Sequence, residues 1–269
     1  MDFGTLIGLI AGIGIIIIGI IGSGGQLLWF ANEISILIVV GGTFAATMVN
    51  LPLRAVVNIF KILKNVFTRE DFDYEGIINE IVEKAEKARR DGLLSLEADL
   101  SNMREGFFKS GIELAINERE SSRLRTFLNL EMNNITSRHI AGQELFLYMG
   151  AYAPAFGMLG TVLGLIIMMN NFATGSGEEA SASYDVAAKF AELLSGMGLA
   201  LITTFYGVFM SNMIFLPIGG KLKRISENEM MLKNIVVEGI ISIHAREHPL
   251  LIREKLMTFV PSSQRSTNK

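Results

Sequence analysis

The sequence contains no cysteine, which excludes disulfides, thiolate metal sites and cysteine nucleophiles. Histidine is almost missing too. His139, His244 and His248 are the three present, none in an HExxH spacing, so they read as surface residues and no metal site is expected. A positive balance is absent, since 24 Lys and Arg face 27 Asp and Glu for a net charge of -3, and bulk attraction to nucleic acid is not expected. The N-terminus carries Asp2 where a secretory signal has basic residues, and no small-residue cleavage site follows, so no such signal is expected. Strand alternation and hairpin turns are lacking, which leaves helix as the expected secondary structure. Asn134-Ile-Thr136 fits a glycosylation acceptor only by chance, given the topology expected below.

What is present is apolar. Half of the residues are hydrophobic and the mean hydropathy is +0.40, yet 19% are charged. That mixture separates into membrane and aqueous parts. Apolar runs cover Phe3 to Ile21, Ile34 to Val49, Phe146 to Met169 and about Phe190 to Phe215, with Glu192 near the start of the last as the one charge among them. Each approaches the roughly 20 residues that an apolar helix needs to cross a bilayer. Ser23-Gly-Gly25 breaks the first, Asn50-Leu-Pro52 ends the second, and Pro217-Ile-Gly-Gly220 is expected to close the fourth. Trp29 and Phe30 suit a membrane interface. Asn170 to Lys189 reads as a polar connection, and Ser262 onwards as a disordered tail.

Between Leu53 and Glu144 the pattern becomes amphipathic. Ile77, Ile78, Ile81, Val82, Ala85 and Ala88 form one helix face, and Ile225, Leu232, Ile235, Val236, Ile240 and Ile243 form another after Pro217. The expected fold is an all-α membrane protein of four transmembrane helices with a large cytoplasmic helical domain. Its parts are residues 1–52 (helices 1 and 2), 53–145 (helical domain), 146–217 (helices 3 and 4) and 218–269 (C-terminal helix and tail). Lys and Arg fall almost wholly in 53–145 and after Pro217, with only Lys189 elsewhere. The positive-inside rule then puts both termini and both large segments in the cytoplasm.

The third run carries the most internal detail. Pro154 removes a backbone donor and should bend the helix. Gly157, Gly160 and Gly164 share a face on which a second helix can approach closely; Gly4, Gly8 and Gly12 do the same in the first run. Thr161 adds a hydroxyl there, and Thr203 and Thr204 add two more to the fourth run. No Asp, Glu, Lys, Arg or His lies in the middle of any run. A cation path normally has an ionisable group, so a partner chain must supply it if this chain helps conduct. Threonine hydroxyls and backbone carbonyls are hard donors that suit a small hard cation. The alternative is that these threonines bond back to the i-4 carbonyl and only shape their helices. In Arg89-Arg-Asp-Gly-Leu-Leu-Ser-Leu-Glu97, Gly92 is expected to end one helix and Ser95 with its neighbours to start another. Arg89, Arg90 and Glu97 then flank a turn that either docks a charged partner or is simply solvated.

The APAFGMLGTVLGL helix (Ala153 to Leu165), ALITTFYG (Ala200 to Gly207), FLPIG (Phe215 to Gly219) and the RxxGLLSLE stretch together resemble the MotA family of flagellar motor stator subunits, including its sodium-type PomA and MotP relatives. The resemblance implies a bacterial inner-membrane protein. It implies a ring of five chains around a dimer of MotB-like helices that carry the ion-accepting aspartate. It also implies a cytosolic contact with the rotor protein FliG. By motif, Pro154 and Pro217 match the family's two functional prolines, and Arg89 and Glu97 its rotor-facing charges, with Arg90 as an added arginine. Thr161, Thr203 and Thr204 resemble the threonines of sodium-type members and favour Na+ over H+ as the transported ion, with no cofactor. Two other readings are an ExbB/TolQ-like motor subunit, which the extra N-terminal pair of spans disfavours, and a membrane scaffold that moves no ions. No enzyme constellation is present.

Overall fold

Helix accounts for the regular structure of the computed structural model, which describes residues 3–67, 72–103, 105–174 and 186–260. The Gly175 to Glu179 connection and the tail from Ser262 lie outside the described residues. Two units are formed. One comprises residues 1–69 and 141–222, the other 70–140 and 223–269. Among the described residues, four helices are long and apolar enough to cross a membrane.

In the first unit, α1 (Phe3–Gly22) is uniformly apolar and none of its span is buried within the chain. It ends where the glycines allow. Gly24 adopts φ +77°, and the Gly24 and Gly25 amides return to Ile21 and Ile20 carbonyls in a Schellman motif. Asn32 caps α2 (Glu33–Ile36) by accepting from the Ser35 amide at 2.8 Å, and α2 passes through a π turn (Leu37–Gly41) into α3 (Gly42–Asn50). The short α4 (Leu53–Val57) and α5 (Ile59–Phe67) follow. Val56 and Ile59 pack with Leu145, Phe146, Met149, Ala153 and Phe215 as this unit's apolar cluster.

The expected break at Pro217-Ile-Gly-Gly220 is not there. Helix α9 (Val186–Met210) passes through a second π turn (Ser211–Phe215) straight into α10 (Leu216–His244). The π turn shifts the hydrogen-bond register just where Pro217 withdraws a donor, so the helix runs on without ending. Gly219 packs against α8 instead: a Cβ there would lie 3.3 Å from the Leu147 side chain. Likewise α8 (Ser121–Thr174) is one helix with Pro154 inside it.

The second unit is built on the faces read from periodicity. Ile77, Ile78, Ile81, Ala85 and Ala88 of α6 (Tyr74–Asp91) are buried, with Val82 packed beside them. They meet Phe107, Phe108 and Ile112 of α7 (Gly106–Asn117), Ile235, Val236, Ile240 and Ile243 of α10, and Ile252 and Leu256 of α11 (Pro249–Met257). Gly92 ends α6 at φ +86°, a conformation that only glycine adopts cheaply. Beyond it, Leu93–Asn102 is a 3-10 run and not the α-helix expected to begin near Ser95; the Ser95 hydroxyl turns back to the Gly92 carbonyl at 2.7 Å. His244, expected at the surface, is half-buried and held. Its ring bonds the Ser121 hydroxyl and the Glu118 carbonyl, each at 2.8 Å.

Candidate functional site

Alternation of large and small residues decides how α8 meets α9. Ala153, Gly157, Gly160 and Gly164 are buried at helical spacing, while Met158, Leu159, Val162 and Ile166 point outward. A Cβ on Gly157 would stand 2.9 Å from the Thr203 carbonyl oxygen and 3.2 Å from the Gly207 Cα. A Cβ on Gly160 would stand 2.7 Å from that of Thr203, and one on Gly164 3.2 Å from that of Ala200. The helices therefore touch backbone to backbone, as the glycine face requires.

That approach brings the three predicted threonines together. The half-buried Thr161 hydroxyl lies 3.1 Å from both the Gly157 and Ala200 carbonyl oxygens and 2.5 Å from the Thr204 hydroxyl. Fully buried Thr203 donates to the Ala200 carbonyl at 2.7 Å, and Thr204 lies 3.5 Å from the Gly157 carbonyl. Thr161 and Thr203 thus bond within their own helices, as back-bonding threonines do. They also do more. The cluster holds more oxygen acceptors than hydroxyl protons, because each hydroxyl has one proton and the carbonyls have two lone pairs each.

Both proline sites also belong to this unit. Pro154 is half-buried beside fully buried Ala153, and the exposed Pro217 follows the π turn. The two prolines were visible in the sequence. The π turns were not, because no residue type marks a one-residue change of register. The Tyr206 hydroxyl, which donates to the Phe30 carbonyl and pins that loop to α9, was also missed. Of the small-residue face in α1, Gly12 lies against the Met213 side chain, whereas a Cβ on Gly8 would meet nothing within 4 Å in this chain.

The charged residues lie in the second unit. Arg89 and Arg90 close α6, a favourable place for cations. Arg90 makes a bidentate pair with Asp91 at 2.9 Å, and its hydrogen bond holds the Asp91 carboxyl below the usual range. Arg89 and Glu97 are exposed and have no ion-pair partner among the described residues. Arg89, Arg90 and Glu86 share a hollow of about 320 Å³ with His248, Pro249 and Leu250. Behind them, Asp99 pairs with Lys87 at 2.8 Å and Lys84 at 3.2 Å, an anchor that sequence spacing did not suggest. Among the described residues no group of three His, Asp or Glu is placed to hold a metal ion.

A model of the MotA/TolQ/ExbB proton channel family matches residues 99–234. The chain belongs to that family. Within it the likeness runs end to end with flagellar stator subunits. Motility protein A of Borreliella burgdorferi is 36% identical over 99% of this chain and 96% of its own. The C. jejuni MotAB structure superimposes with a TM-score of 0.84 at 25% identity over 97% of both chains. The flagellar MotAB stator complex of Bacillus subtilis gives 0.82 at 28% identity over 96% of both. The family member described here is thus an all-α membrane protein of the stator type, and its apolar unit holds the oxygen cluster between α8 and α9.

Proposed function

We propose that this chain forms the ring of a flagellar stator, and that with a MotB-like partner it conducts a cation and turns ion flow into torque. The end-to-end likeness to MotAB stator chains carries this reading. The chemistry of the apolar unit supports it. The spans offer hydroxyls and carbonyls but no central carboxylate, so the charge that receives the ion comes from the partner's helix. Five such chains around a partner dimer are the assembly that the family resemblance implies. The positive-inside rule orients both termini and the second unit toward the cytoplasm. There Arg89, Arg90 and Glu97 are exposed for a charged surface of the rotor protein FliG. Pro154 and Pro217 are the bends through which ion binding moves the helices.

Sodium is favoured over protons as the coupling ion. Support comes from the acceptor-rich cluster of Thr161, Thr203, Thr204 and the Gly157 and Ala200 carbonyls, a hard-donor set suited to a dehydrating Na+. The test is swimming speed against sodium concentration at constant pH. Speed should rise with sodium and saturate. Replacing Thr161 or Thr204 with Val should shift that curve to higher sodium or abolish it. A speed that ignores sodium and follows pH would assign the motor to protons, and unchanged motility after all three Thr→Val changes would leave the threonines with packing alone.

A further inference from the structure

Pro154 has no N–H, so the Gly150 carbonyl loses the partner that an unbroken α-helix would give it. Inside a bilayer no water is at hand to replace that bond, and a bare carbonyl is costly. The Ser211 hydroxyl takes the place of the missing donor. It lies 2.6 Å from the Gly150 carbonyl oxygen, and Ser211 is only 2% exposed. Serine and threonine in helices usually bond back to their own chain four residues earlier. Thr43 and Thr47 do so here, to Val39 and Thr43. Ser211 instead reaches across to another helix.

Its position gives that bond a purpose. Ser211 opens the π turn that leads into Pro217. Gly150 is small on the same side: a Cβ there would lie 2.7 Å from Leu216 and 3.7 Å from Phe215. The carbonyl freed by one proline therefore sits against the residues that precede the other. We propose that Ser211 is a positioning residue which substitutes for the absent Pro154 donor and ties the Pro154 turn of α8 to the π turn and Pro217, so that the two proline sites move together. The mechanical part of this inference rests on reading the chain as an ion-driven stator; the hydrogen-bond part does not.

A double-mutant cycle separates the two. The full-length chain is co-expressed with its membrane partner, extracted in mild detergent, and melted as wild type, Ser211→Ala, Pro154→Ala and the double variant. Losing the hydroxyl should lower the midpoint by about 2–8 °C in the native background, the range expected for a buried carbonyl left bare. In the Pro154→Ala background, where the helix regains its own N–H, the same change should cost less than half as much. Equal costs in both backgrounds would overturn the substitution of one donor for another. In cells, Ser211→Ala should slow loaded rotation at least twofold at unchanged membrane levels, and Ser211→Thr, which keeps the hydroxyl, should recover most of it. Wild-type rotation by Ser211→Ala would remove the positioning role. If deleting the chain leaves rotation untouched, the stator reading fails, while the melting cycle still decides the hydrogen bond.

Discussion

The two units solve the packing problem in opposite ways. In the second unit large aliphatic and aromatic side chains point inward. Phe108, Ile81, Leu124 and Ile240 are fully buried, and half-buried ion pairs such as Asp99 with Lys84 and Lys87 flank them. In the first unit a small cluster around Leu145, Phe146 and Met149 is buried, but many large side chains point outward, and Ile15 and Ile18 are about 70% exposed. Where α8 meets α9 the contact is made by glycine and small hydroxyl residues: Thr203 and Ser211 are buried, as Thr43 and Thr47 are elsewhere in the unit, while Gly157 and Gly207 touch backbone to backbone. The difference is that of two solvents. Water drives large apolar groups together, whereas lipid gives them no such push and leaves close contact and hydrogen bonding to hold helices. One sequence therefore carries two rules, and the first unit's rule leaves oxygen atoms facing one another inside an apolar region.

The comparison can be broken at several points. Gly157→Leu should have the largest effect, since backbone atoms of Thr203 and Gly207 stand in the way and cannot yield. The helices should separate, with loss of the assembled complex on size-exclusion and of motility. Normal assembly would show that small residues do not hold this unit. In the second unit Phe108→Ala should follow the ordinary rule for a filled core and cost about 3–5 kcal/mol in stability. Arg246 is the one non-glycine residue at positive φ among the described residues, at 55°, where it closes α10 in a Schellman turn. Arg246→Gly should therefore raise stability by about 1 kcal/mol, read as a higher melting midpoint. The smallest effect concerns acid. Hydrogen bonds from Lys87 and then Lys84 hold the Asp99 carboxyl below its ordinary value of 3.8. A lowered folded value means stability that is present above pH 3.8 and lost as pH falls through the folded value. Asp99→Asn should flatten that acid limb of the melting curve and lower the neutral-pH midpoint slightly.

Much of this was legible in the residues. The amphipathic face from Ile77 to Ala88, the Gly157 to Gly164 face and the stop at Gly92 each follow from local periodicity or backbone geometry, and each forms as read. What escaped depends on register and on distant partners. Pro217-Ile-Gly-Gly220 looks like a helix end because proline and glycine usually are one. Here the preceding π turn absorbs the lost hydrogen bond, and Gly219 serves packing against Leu147. Histidine spacing could not reveal that His244 is held by Ser121 and Glu118, residues far away in sequence. At the candidate site the residue types were readable, but their convergence was not. Thr161 and Thr204 are brought to 2.5 Å only because the glycines let α8 and α9 touch.

On the proposed function, this chain lines a cation path whose acidic group comes from the partner. The direct measurement is cation uptake into proteoliposomes that contain the full-length chain alone or the chain with its MotB-like partner. No uptake above empty vesicles is expected for the chain alone, with uptake when the partner is present and its loss when the partner's membrane carboxylate is neutralised. Uptake by the chain alone would contradict it.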